Sequence, residues 1–118
     1  MKYTFFIQKI SKSTIYSVRI EDAEFYVLGN LTDISWIPAK AQEIIDGVKS
    51  TIDTDVEYQW ANEDVFLVSH PTEGVIFWDL MKTRGQGSGV RTTQDLVLPH
   101  EEFITFMEDF KKFIEENN

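Results

Sequence analysis

Apolar and polar positions alternate with a period of two at the start of the chain. Tyr3, Phe5 and Ile7 alternate with Thr4, Phe6 and Gln8 over residues 3–10, and Tyr16, Val18 and Ile20 with Ser17 and Arg19 over residues 14–20. With the polar Ser11-Lys12-Ser13 between them, the two runs predict a β-hairpin. Glu24 to Leu28 predicts a third strand, closed by Gly29-Asn30, residues that tolerate positive φ. The period then changes. Ile37, Ala41, Ile44, Ile45, Val48 and Ile52 recur at helical spacing and predict a helix over 37–52. Ser35 is its expected N-cap, and Pro38 suits a first turn, whose N–H groups have no partner within a helix. Gly47 inside this helix costs about 1 kcal/mol relative to alanine, which suggests close packing against a sheet.

Strict alternation returns over residues 55–61, with Val56, Tyr58 and Trp60 on one side and Asp55, Glu57, Gln59 and Ala61 on the other. Asp64 to Ser69 is apolar on both faces at its centre, the pattern of a strand central in its sheet. After the turn His70-Pro71-Thr72-Glu73-Gly74, Val75 to Leu80 completes a meander. Residues 82–91 crowd three glycines into a loop, and Thr92 to Leu98 predicts a last strand. From Pro99, the apolar stripe Phe103, Phe106, Met107, Phe110, Phe113 and Ile114 predicts a helix through residue 116, with Glu101 and Glu102 favourably placed in its first turn. The expected fold is one α+β domain over residues 1–118, an antiparallel sheet of about six strands with two amphipathic helices packed on one face.

Composition changes this picture in two respects. The 118 residues include no cysteine, which excludes disulfides and thiolate metal sites and fits a reducing compartment. The longest apolar runs, such as Val65–Val68 and Val75–Trp78, are far too short to span a bilayer, and the N-terminal stretch is too short for a signal peptide, so a cytoplasmic location is expected.

Charge is the stronger signal. The net charge is −9, and it is segregated. Residues 1–20 carry Lys2, Lys9, Lys12 and Arg19 and no acid, whereas residues 21–79 carry thirteen acids against Lys40 and Lys49. Residues 80–91 hold Lys82, Arg84 and Arg91, and residues 92–118 are again acidic. Such a surface repels nucleic acid and favours a basic protein partner.

The chemical constellations are sparse. His70 and His100 have no nucleophile beside them in sequence, so no catalytic residue is assigned. Gly85-Gln86-Gly87-Ser88-Gly89 lacks the lysine of a phosphate-binding loop and does not open a helix, so no cofactor is expected. Asp53, Asp55 and Glu57 stand at i, i+2 and i+4, which on a strand beginning early would place three carboxylates on one face; Glu63 and Asp64 extend the patch at the next turn. Calcium-loop spacing is absent, and no metal is expected. Among the tryptophans, Trp60 and Trp78 are expected in the core, and Trp36 partly exposed as a helix-start staple.

The run from Asp95 to Ile114, with Leu98-Pro99-His100-Glu101-Glu102-Phe103 between strand and helix, resembles the ending of many immunity proteins of bacterial polymorphic toxin and contact-dependent growth inhibition systems. Gly74–Asp79 is similar to their central strands. The resemblance implies a non-enzymatic role, binding one cognate toxin domain and blocking it. Many such toxins are nucleases and therefore basic. The expected contacts are Asp53, Asp55, Glu57, Glu63 and Asp64, with Gln59 hydrogen-bonding between them. A scaffold or adaptor domain and a small enzyme using a histidine and a carboxylate are the alternatives.

Overall fold

The computed structural model describes residues 1–32, 36–82 and 93–117. The predicted cap Ser35, the glycine loop 85–89, Arg84, Arg91 and the start of the last strand at Thr92 lie outside these residues.

The chain begins as the expected hairpin, β1 (Tyr3–Ile10) and β2 (Ser13–Ile20), paired antiparallel from Tyr3 opposite Ile20 to Ile10 opposite Ser13. Ser11 takes a φ of 57° at its tip. A 3-10 helix over Ala23–Leu31 follows, then α1 (Pro38–Lys49). The meander is β3 (Tyr58–Ala61), β4 (Val65–His70) and β5 (Gly74–Asp79), continued by β6 (Leu96–Leu98). The chain closes with α2 (His100–Glu116).

The class is α+β, with antiparallel pairing throughout. The six strands among the described residues divide into two sheets, the hairpin β1-β2 and a four-stranded sheet in the order β3-β4-β5-β6. β4 is interior, as its two apolar faces require. The predicted third strand is instead the 3-10 helix, which buries Val27, Leu28 and Leu31. Their spacing of one and then three is a helical face, whereas alternation over five residues would have buried Val27 and exposed Leu28.

α1 and α2 pack on each other and on the four-stranded sheet, and α2 meets the hairpin through aromatic contacts. Its phenylalanines reach both sheets. Phe5 of β1 lies 5.2 Å, centroid to centroid, from Phe110, while Phe103 meets Phe77 of β5 edge-on at 5.3 Å. Trp36 is 2% exposed rather than partly open, and its indole N–H donates to the Leu31 carbonyl. Trp78 stands on the face of the sheet away from the helices, against Phe66 at 5.5 Å. Pro38 occupies the first turn of α1 as expected. Among the described residues, no helix is long and apolar enough to cross a membrane.

Candidate protein-binding edge

β3 is positioned by contacts on its inner side. A Cβ on Gly47 of α1 would lie 2.4 Å from the Tyr58 ring, so the glycine admits that ring against the helix. Trp60 lies beside Trp36 at 5.8 Å, and the Lys40 ammonium sits 4.6 Å from the Trp36 ring centre. β4 takes the other side of the strand, with Tyr58 opposite Ser69 and Trp60 opposite Leu67.

The ladder leaves one edge of β3 open. Asn62 N–H donates to the Val65 carbonyl at 3.0 Å, fixing the alternation so that Tyr58, Trp60 and Asn62 exchange hydrogen bonds with β4. The main-chain groups of Gln59 and Ala61 therefore point away from the sheet. Both residues are exposed, and neither makes a hydrogen bond beyond the ladder with any described residue.

The carboxylates flank this edge rather than standing in a row on the strand. Asp53, Asp55 and Glu57 precede β3. Continuing the register would set Glu57 opposite His70 and Val56 opposite Pro71, which has no N–H to donate, so pairing stops. Asp53 instead adopts a φ of 61°, and the Thr54 hydroxyl accepts the Val56 N–H at 3.2 Å. The chain leaves α1 through local side-chain bonds, not as an early strand. All three acids are exposed and make no hydrogen bond or ion pair among the described residues.

At the other end of β3, Glu63 is exposed in the β3–β4 turn and Asp64 is half-buried. The Asn62 side chain holds that turn, accepting from Asp64 N–H and Val65 N–H at 2.8 Å each. Gln59 does not bridge the acids: its side chain has no partner among the described residues. Beside Trp60, Ala61, Asn62 and Glu63 lies an open groove of about 610 Å³, with Ile15 of β2 on its far wall.

Sequence reasoning missed a polar cluster at the end of β5. Asp79, 7% exposed, accepts from the Tyr26 hydroxyl, the Asn30 amide and the Met81 N–H, each at 2.9 Å. Asn30 also donates to the Asp64 carbonyl at 3.1 Å. Asp95 accepts the Asp79 N–H at 2.7 Å and is paired with Lys82. This network ties the 3-10 helix to the sheet. Its only legible signal was an acid ending an otherwise apolar run.

The histidines, unpaired in sequence, meet in the fold. His100 Nε2 lies 2.6 Å from the His70 carbonyl oxygen, and His70 Nδ1 accepts the N–H groups of Thr72 and Glu73 at 3.2 Å. Both contacts fasten the β4–β5 turn and the start of α2, and the His70 lone pair a general base would use is taken up by main-chain donors. Among the described residues, no group of three or more His, Asp or Glu is placed to hold a metal ion.

No family model, curated protein or solved structure matches the chain.

Proposed function

We propose that this chain is a non-enzymatic inhibitor that binds a basic protein domain, a toxin of nuclease type, and neutralises it. The observation that carries the reading is the exposed, unpaired set Asp53, Asp55 and Glu57 at one end of an open strand edge, with Glu63 at the other. Asp53, Asp55 and Glu57, exposed and without counterions among the described residues, retain their attraction for a cationic surface. A nuclease domain is basic because it must hold a phosphate backbone. Carboxylates on a segment pinned by local bonds, such as that of the Val56 N–H to the Thr54 hydroxyl, can occupy the positions of those phosphates with less loss of entropy than on a free loop.

The segregation of charge supports the same orientation. The cations Lys2, Lys9, Lys12 and Arg19 are exposed on or just before the β1–β2 hairpin, on different elements from the acids that flank β3. A basic partner is drawn to the acidic segments and repelled by the cations of the hairpin.

Co-purification from native cells at low and moderate salt tests the proposal. A single basic partner, released progressively as salt rises and freed of its toxicity when bound, is the expected result. A partner that is bound without loss of its activity would make the domain an adaptor instead.

A further inference from the structure

Resting on that reading of the acidic edge, we infer that β3 accepts an extended basic segment of the partner as an added antiparallel or parallel strand, through the outward main-chain groups of Gln59 and Ala61. Three features of the structure converge on this. The first is the open edge: Gln59 and Ala61 are exposed, and their N–H and C=O groups face away from β4 with no described partner. An edge of this kind is a template for pairing. The second is space. A groove of about 610 Å³ lies beside Trp60, Ala61 and Asn62, lined also by Ile15 of β2 and by Lys40, whose ammonium lies 4.6 Å from the Trp36 ring centre.

The third is charge, which selects the occupant. Glu57 precedes the edge, exposed and without a partner among the described residues, with Asp55 and Asp53 just before it. An extended segment with a lysine or arginine at its end sets a cation beside these acids, and one with such a residue at both ends does so in either strand direction. A second copy of this chain does not. Antiparallel β3–β3 pairing, with Gln59 opposite Ala61, would bring Glu57 of one copy up against Glu63 of the other, and like charges so placed are destabilising. The acids therefore protect the edge from self-association while leaving it open to a basic strand.

The test uses the full chain and a synthetic peptide, Arg-Thr-Val-Thr-Val-Arg, at low salt. Amide hydrogen exchange is followed residue by residue. The expected result is that the peptide slows exchange at Gln59 and Ala61 by about tenfold or more, while a copy N-methylated at alternate residues does not. Ala61→Pro, which removes an N–H that the internal ladder does not use, should weaken peptide binding about tenfold. Should that variant fail to fold, the N-methylated peptide decides alone. Peptide binding with unchanged exchange at Gln59 and Ala61 would overturn strand addition and leave the acidic docking surface standing. Equal protection by Glu-Thr-Val-Thr-Val-Glu would overturn the basic occupant and the charge reading together. No binding of the basic peptide would overturn strand addition.

Discussion

The Tyr58 ring occupies the space where a side chain on Gly47 would be, with ring carbons 2.4 Å from the position of the missing Cβ. This contact seats the start of β3 on α1, while its place at the end of the sheet leaves one edge of the strand open. Gly47→Ala should gain about 1 kcal/mol in helix propensity and lose about 1–3 kcal/mol to overpacking against a ring with little freedom to move. The expected net is a destabilisation of about 1–2 kcal/mol, read from urea midpoints. Because the cost is a clash, Tyr58→Ala in the same chain should absorb part of it, giving less than the sum of the two single changes.

A buried hydroxyl pair joins α1's exit to β4. Thr51 Oγ1 lies 2.8 Å from Ser69 Oγ and donates to the Val48 carbonyl, also at 2.8 Å; both residues are fully buried. Ser69→Ala or Thr51→Val alone should cost about 1–3 kcal/mol, since each leaves or weakens a buried polar group. The double variant should cost less than the sum, because no hydroxyl then remains to be satisfied. Chemical denaturation of the four proteins in the cycle measures this.

Stability should fall in alkali. Burial raises the Tyr3 hydroxyl above its ordinary value, helped by its hydrogen bond to Asp109, and burial likewise raises Tyr26 and Tyr58. The neutral phenol is the form the fold favours, so this stability is complete below the unfolded value of about 10 and is lost as pH rises through the folded values. Lys82, raised first by its hydrogen bond to Asp95, acts in the same direction. Urea midpoints should therefore decline above about pH 10. Tyrosinate absorbance should show these three tyrosines ionising late, and Tyr3→Phe should flatten the decline.

The fold was largely legible because its elements follow one periodicity at a time. The hairpin, the meander, α1 and α2 all carry apolar positions at the spacing their geometry requires. The 3-10 helix was not legible as such: Phe25 and Val27 alternate as in a strand, and only Leu28 and the later Leu31 favour the helical period. The division into two sheets depends on which strand edges meet, and no local pattern records that.

The candidate site was legible in residue type but not in geometry. Alternation at Asp53, Asp55 and Glu57 imitates a strand, yet a strand needs a partner, and β4 turns away at Pro71. The open edge at Gln59 and Ala61 is likewise a property of strand order, which places β3 outermost. Asp79 shows the same limit, because the Tyr26 and Asn30 that surround it are brought there from 49 or more residues away in the chain.

The central claim, that carboxylates beside β3 draw in a basic partner, is tested most directly by association kinetics at increasing ionic strength. The captured partner is measured against the native chain and Asp55→Lys/Glu57→Lys. Both positions are exposed, so the fold should change by no more than about 0.5 kcal/mol. The native chain should associate fast at low salt and slow steeply as salt rises, while the variant should begin about tenfold slower with a shallower dependence. Identical rates and slopes for the two proteins would contradict the claim.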